Sequence, residues 1–479
     1  MSRKKKYLAR FTTAICAAGI AVTMAPISRA QAQSTADSAT QSSADTQQRL
    51  QDLEKQVSIL ESEISSMKDS DAPGLKTASM TEPIAQAATP AAAPDKVTLA
   101  GLLGPVTFSG FVDAYYAFNF NQPSDLGDTG PSGLGGNELR FFDANTNQFS
   151  LNAVELVVDK AADATAGGTG RAGFHVGVIY GQAAEAINGV NTGTTDSANI
   201  ALKEAYVDYI APVGKGLTVT VGKFVTPAGA EVIESNGNWN YSRSILFYYT
   251  IPYFHFGASA KYTFNPQWTV TAYAVNNWNG TQQVNTGKTY GVSVAYTPNK
   301  YWAITENYLA GPQDDVALGT GYIGKPNDNW RQLSDTIITY TPNAKWAFMV
   351  NGDYDYGDKF NVGDGGVSSN SKPVSWGGAA GYVKYTLSPK AYLAARYEYY
   401  DDPEAFGLCL SQCTGDYTVQ EATGTFSYNW TDQLQTRAEF RDDFANKSIF
   451  SKGSERAVST QPIAEISFIY TFSSANAKF

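Results

Sequence analysis

The feature that most constrains this chain is a side-chain period of two, repeated in segment after segment between Val97 and Phe472. In QLQTRAEFR, residues 433–441, Leu434, Thr436, Ala438 and Phe440 share one face, and Gln433, Gln435, Arg437, Glu439 and Arg441 share the other. AYLAARYEYY sets Ala391, Leu393, Ala395, Tyr397 and Tyr399 against Arg396 and Glu398. PIAEISFIYTF sets Ala464, Ile466, Phe468, Tyr470 and Phe472 against Glu465. In VTFSGFVDAYYAFNF the even positions from Phe108 to Phe120 are apolar or aromatic, Gly110 apart, and Asp113 lies opposite. A chain whose successive side chains alternate in character in this way is a series of β-strands, each with one apolar and one polar face.

A water-soluble sandwich also alternates, so two further details decide. The segments are about ten or more residues long, the length a tilted strand needs to cross a bilayer. Aromatic residues cluster at segment ends, in NNWN, KYWA, YEYYDD and SYNW, as interfacial girdles require. Short turns (APVGKG, TFNPQW, TPNKYW, TPNAKW, TLSPKAY, NWTDQ) alternate with long polar connections. That asymmetry predicts an all-β transmembrane barrel of about 16 antiparallel strands over 97–479, with periplasmic turns and extracellular loops. An even count leaves both chain ends in the periplasm, and a barrel of this size keeps an aqueous lumen. The polar face then lines that lumen: Asp113, Glu204, Asp208, Arg396, Glu398, Arg437, Glu439, Arg441 and Glu465 are the candidate pore-lining residues.

The first 32 residues have the form of an export signal. MSRKKKYLAR is basic, FTTAICAAGIAVTMAP is apolar but short for a membrane helix, and Ala30-Gln31-Ala32 is a small-x-small cleavage site before Gln33. Cys16 lacks the small residue before it that a lipoprotein signal needs. The signal holds six basic residues and no acid, so its removal takes the formal net charge from −10 to −16. Such acidity excludes nucleic acid as a partner, because phosphate binding needs a basic face. The remaining cysteines, Cys409 and Cys413 in GLCLSQCTG, are expected to form one small disulfide loop in an exported protein.

Residues 33–69 contain a helical seam. Leu50, Leu53, Val57, Leu60, Ile64 and Met67 recur at steps of three and four, the a/d pattern of a short coiled coil. The same pattern also fits an amphipathic helix lying on another surface. Residues 70–96 are Ala/Pro-rich and read as an extended linker. The seam suits a trimer, with a dimer also open, and it offers a contact toward the cell wall.

One connection is unlike the rest. Residues 227–253, between the fifth and sixth strands, contain NGNWNYSRSILFYYTIPY, aromatic and almost uncharged after Glu234. A solvated loop has no use for Trp239 and Phe247. A loop folded into the lumen does, because one side packs on the wall while the other narrows the channel. Glu231, Glu234, Trp239, Tyr241 and Arg243 are its candidate constriction residues, against the alternative of a loop packed on the rim. Folded inward, its carboxylates would lie across the channel from Arg396, Arg437 and Arg441 and set up a transverse field. The competing arrangement pairs those arginines with Glu398 and Glu439 along the wall.

SGFVDAYYAFNFNQP, NQFSLNAVELVVDK, APVGKGLTVTVGKFVTPAGAEVIES and NWNYSRSILFYYTIPYFHFGASAKY resemble the OmpL-like β-barrel porin family of Gram-negative bacteria. The resemblance spans roughly residues 100–479 and is most specific over 203–262. It implies an outer-membrane diffusion porin for small hydrophilic solutes and ions, and it brings no catalytic residues. Enzymatic motifs agree poorly with the chain. GTGYIG (319–324) has the glycine spacing of a dinucleotide loop but no helix after it. DYDYGDKFNVGDGG (353–366) departs from the spacing of a calcium loop. GxSxG and HExxH do not occur. The reading therefore calls for no enzyme activity, cofactor or metal, with a structural barrel tethered toward the cell wall as the rival function.

Overall fold

A computed structural model describes residues 106–124, 136–165, 168–189, 199–280, 285–312, 327, 330–360, 372–408 and 416–476. The export signal, the helical seam, the linker and the Cys409–Cys413 pair lie outside the described residues, as do GTGYIG and residues 361–366 of the acidic segment.

Sixteen strands close an antiparallel barrel: β1 (Thr107–Asn119), β2 (Gln148–Lys160), β3 (Ala172–Tyr180), β4 (Ile200–Ala211), β5 (Leu217–Val225), β6 (Phe254–Asn265), β7 (Trp268–Val275), β8 (Thr289–Asn299), β9 (Trp302–Pro312), β10 (Trp330–Tyr340), β11 (Trp346–Phe360), β12 (Lys372–Ser388), β13 (Ala391–Asp402), β14 (Tyr417–Asn429), β15 (Leu434–Ala445) and β18 (Thr460–Ser473). Each pairs with its sequence neighbours, and β1 closes the ring on β18, for example through Asp113↔Ile469. The expected strand number and antiparallel closure are both present. A small hairpin, β16 (Phe450–Lys452) with β17 (Glu455–Val458), sits in the last long connection and was not foreseen. Short helices α1 (Gln182–Gly189) and α2 (Ile245–Tyr249) occupy two other long connections.

Burial follows the period-two pattern. Phe440, Ile466, Phe468, Tyr470, Leu393, Tyr397 and Tyr399 are exposed on the outer wall, while Arg396, Glu398, Arg437, Glu439, Arg441 and Glu465 are buried on the inner one. The usual order of a soluble protein is thus inverted, as a lipid-facing wall demands. Aromatic pairs mark the edge of the apolar band at the short-turn end. Trp268 stacks on Tyr296 at 4.1 Å, Trp302 on Tyr340 at 4.3 Å, and Trp346 lies 4.5 Å from Tyr385. At the long-loop end Tyr290, Tyr308, Trp330, Tyr354 and Tyr397 are exposed.

Strict alternation fails at one useful place. The β3–β4 register runs Gly177↔Glu204 and then Val178↔Leu202, so Lys203 is an extra residue. The bulge turns Lys203 and Glu204 to the buried side together, which no reading by period two would find. β7 ends at Val275, and Asn276 N donates to Phe256 O of β6 at 2.9 Å.

Candidate functional site

The connection from Thr226 to Tyr253 is fully described, and its local structure follows from its residues. Ser244 caps α2, its hydroxyl accepting from Phe247 N at 3.1 Å, so the aromatic run ILFYY forms a single helical turn. Gly229, at φ +94°, lets the two arms of the connection close on each other. A Cβ there would lie 2.5 Å from Ile251 Cδ1.

This segment is hydrogen-bonded to inward-facing side chains on β1 and on β10 to β15. From β13, Glu398 accepts from Ile245 N at 2.7 Å and Leu246 N at 2.5 Å, satisfying the free amides of α2. Arg396 donates to Ser242 O at 2.7 Å, Ser242 Oγ at 3.0 Å and Arg243 O at 3.1 Å. It also pairs with Glu231 at 2.6 Å and, through Nε, with Glu421 of β14. From β15, Glu439 accepts from Tyr241 N at 2.6 Å and Ser242 N at 3.0 Å, and Arg437 donates to Ser235 O at 2.7 Å and Asn240 O at 3.0 Å. From β1, Asp113 accepts from Ser235 Oγ at 2.6 Å and Tyr241 OH at 3.2 Å. Thr250 donates to Asp353 of β11 at 2.5 Å, Trp376 of β12 donates to Tyr249 O at 3.0 Å, and Arg331 of β10 donates to Thr250 O at 3.2 Å. Arg243 itself is buried, donating to Ile233 O and Tyr241 O and lying 4.8 Å over the Phe142 ring.

The connection between β1 and β2 joins the same network. Arg140 donates to Arg243 O at 2.6 Å and pairs with Glu421 and Asp443. Asp143 pairs with Arg441 at 2.6 Å and accepts from Tyr248 OH at 2.6 Å. Burial pushes the Asp143 carboxyl upward, but Arg441 and Arg140 outweigh it and hold the group below the usual carboxylate range. Burial, with Asp143 alongside, pushes the Tyr248 phenol well above its usual range. Phe142 packs among Phe247, Tyr248 and Tyr253 with centroids 5.5 to 5.9 Å away. The rings of Tyr241, Phe247, Tyr248, Tyr253 and Phe254 are therefore buried core material, while Phe256 is exposed on the outer wall.

A second group of inner-wall charges has a different setting. His175 of β3 lies 3.0 Å from Asp159 through Nδ1 and 3.4 Å from Glu204 through Nε2, stacked on Tyr206 with centroids 5.0 Å apart. Lys203 pairs with Glu155 at 2.5 Å and with Glu234. Asp208 accepts from Thr220 Oγ1 at 2.5 Å. Here the Asp159 side chain is 39% exposed, His175 17% and Glu204 11%, against 0% for Arg396.

The sequence-derived residues are thus divided between two places. Glu231, Tyr241 and Arg243 meet Asp113, Arg396, Glu398, Arg437 and Glu439. Arg441 joins through Asp143, and Glu465 stands beside Glu439 in register. Glu234 instead belongs with Lys203 and Glu204, and Trp239 sits near the short-turn side, its carbonyl accepting from Tyr392 OH at 3.1 Å and its ring 4.9 Å from Lys384 Nζ. The separation expected between Glu231 and the arginines is absent: Glu231 touches Arg396. Glu398 and Glu439, expected as the arginines' partners in the competing arrangement, accept from backbone amides of the 226–253 segment. The 226–253 segment supplies those amides, and hydrogen bonds from several fixed N–H donors stabilise a carboxylate. Sequence reasoning missed Arg140, Asp143, Glu421, Asp443, Lys203 and His175. Glu421 and Asp443 follow the same alternation as Arg437 and were within its reach. Arg140 and Asp143 lie in a connection with no periodic signal.

A closed sixteen-strand antiparallel barrel with a girdled apolar exterior and a charged interior defines the porin-type barrels of the outer membrane. The family described as "Putative beta-barrel porin-2, OmpL-like" matches residues 105–472, and the chain belongs to it. No curated protein matches the sequence. Among solved structures, the chain is similar to the trimer form of in-vitro folded OmpT, an outer membrane protein of Vibrio cholerae, at 13% identity and a TM-score of 0.49, covering 77% of this chain and 99% of that one. It is similar to the outer membrane channel DcaP of Acinetobacter baumannii at 10% identity and a TM-score of 0.48, covering 77% and 97%. It is also similar to an anion-selective porin from Comamonas acidovorans at 11% identity and a TM-score of 0.47, covering 77% and 99%.

Proposed function

We propose that the protein is a diffusion porin that passes small hydrophilic solutes and ions through a water-filled barrel, narrowed by residues 227–253 folded inward. The observation that carries this reading is the set of hydrogen bonds from Asp113, Arg396, Glu398, Arg437 and Glu439 to that segment, since all five are inner-wall side chains. On the β10–β15 side the wall side chains are bonded to the loop, largely through its backbone. The path left for solutes runs along the β2–β4 side, past Asp159, His175, Glu204 and the Glu234 face of the loop. Pore width and the charges at that edge do the selecting. Export by residues 1–32, periplasmic placement of the 33–69 helix on its linker, and assembly as a homotrimer complete the proposal. Cys409 and Cys413 close an extracellular loop tip.

Purified protein in planar bilayers tests the reading. Stepwise single-channel currents are expected. A folded barrel that inserts and carries no current would replace the porin with the structural tether suggested by the apolar seam at Leu53, Leu60 and Ile64.

A further inference from the structure

The open edge on β2–β4 carries one ring set between two acids. His175 alternates with Gly173, Gly177 and Ile179, which are buried, so it belongs to the inner series of β3. Its register partners are Asp159 on β2 and Tyr206 on β4. Nδ1 lies 3.0 Å from Asp159 and Nε2 lies 3.4 Å from Glu204, both at ion-pair distance. Tyr206 backs the ring at an interplanar angle of 5°, which fixes the plane in which the two nitrogens meet those acids. The other charges on this edge are already engaged. Lys203 of β4 meets Glu155 of β2 at 2.5 Å, Glu204 at 3.5 Å and Glu234 of the 226–253 segment. Asp208 of β4 accepts from Thr220, Lys223 of β5 donates to Leu202 O at 2.7 Å, and Arg171 at the β2–β3 turn donates to Ile210 O at 2.9 Å. Among these described groups the carboxylates Glu155, Asp159, Glu204, Asp208 and Glu234 outnumber Lys203, Lys223 and Arg171.

A neutral imidazole has one N–H and one lone pair, so it can serve one of the two acids and must turn a lone pair toward the other. The doubly protonated ring serves both. Losing one proton therefore removes a positive charge from the edge and unties one carboxylate at the same time. Imidazole is also the side chain whose ordinary range changes charge between about pH 5 and pH 8. The chain has two. His255 is fully buried, its nitrogens 3.3 Å from Asn277 O and from Thr226 Oγ1, with no acid at hand. His175 shares its edge with Asp159, whose side chain is 39% exposed. We propose that His175 sets the ion selectivity of the pore. With two protons it offsets part of the acidic edge and ties Asp159 and Glu204 to the wall. With one proton it leaves that edge more negative, and small cations are favoured more strongly. The inference rests on the porin reading given above and deepens it, since it names the solute class and the group that regulates it.

The test measures reversal potentials of the full chain in planar bilayers under a potassium chloride gradient, from about pH 5.5 to about pH 8, a range in which carboxylates stay ionised in water and imidazole does not keep its charge. The potassium-to-chloride permeability ratio of the wild type should rise about threefold across that range, the effect of one unit charge roughly 7 Å from the ion path through water. His175→Gln should show the higher ratio at every pH and His175→Lys the lower one, because the first fixes the charge off and the second fixes it on. A ring that merely braces the wall would give no such opposite pair. His255→Asn should keep the wild-type profile. Heat-modifiable gel mobility shows that each variant barrel is folded. A flat profile in the conducting wild type, a pH step that survives in both His175 variants, or a step abolished by His255→Asn would each overturn the role of His175. Wild-type barrels that carry no current at any pH would undo the porin reading itself, and the selectivity inference with it.

Discussion

Two stretches of the same inner wall use their charges in opposite ways. On β13–β15, Arg396, Arg437 and Arg441 are buried, each bonded to a loop that lies against them. On β2–β4, Asp159, His175 and Glu204 hold one another at hydrogen-bond range while keeping part of their surface open. Alternation places both sets inward and cannot tell them apart. What separates them is the degree of cover: the 226–253 segment meets the first through many hydrogen bonds and the second through the Glu234–Lys203 pair. On the proposed reading, a wall charge bonded to the loop is a structural part and one left partly open is a selectivity element.

The largest effect should come from breaking the covered side. Arg396→Ala leaves Glu231 and Glu421 buried without their shared cation, a loss of about 3–5 kcal/mol for a buried pair broken on one side. The barrel strands keep their ladders, so the loss should fall on the loop. Limited proteolysis should open residues 226–253 to cleavage, and single-channel currents should become larger and noisier. A protected loop with unaltered current would mean that the covered side does not depend on its arginine.

The comparison sharpens on ion selectivity. Asp159→Asn with Glu204→Gln should shift the reversal potential under a salt gradient toward anions. Arg437→Gln with Arg441→Gln should shift it toward cations by much less, because those guanidiniums already face carbonyls and carboxylates at 2.6 to 3.0 Å. Shifts of equal size would show that both walls face the ion path alike.

A smaller effect is expected from acid. Asp143 sits below its ordinary value of 3.8 in the folded protein, so the unfolded chain binds the proton more readily. The stability it lends is complete above that value and is lost as pH falls through it and below. The contact of the β1–β2 connection with Arg441 and Tyr248 should loosen below about pH 4, read as hydrogen exchange at residues 139–144. Asp143→Asn should abolish that pH dependence. Exchange that is flat from pH 6 to pH 3 in the wild type would contradict it.

How much of this could be read from the sequence follows the same division. Strand number, closure and the inward side of Arg396, Glu398, Arg437, Glu439, Arg441 and Glu465 were legible because one physical constraint, lipid outside and water inside, is written into every segment. Lys203 was hidden because a single bulge shifts the period. The partners of Glu398 and Glu439 were hidden for a different reason: they are backbone amides, present in every residue and marked by none. Arg140 and Asp143 come from a connection whose position is fixed by contacts far along the chain, and local pattern carries no record of such contacts. The rings of NWNYSRSILFYYTIPY are for the most part buried, since a segment with a core of its own has to bring that core in its sequence.

The account rests on residues 227–253 lying in the conduction path, and Asn236 is an exposed position on that segment. Asn236→Cys in a planar bilayer, treated with a charged methanethiosulfonate while single channels are recorded, tests the point directly, with the wild-type chain under the same reagent as control. The account predicts a stepwise fall in current in the variant alone, reversed by reductant. A modified thiol, verified by mass, that leaves single-channel current and reversal potential unchanged would contradict it.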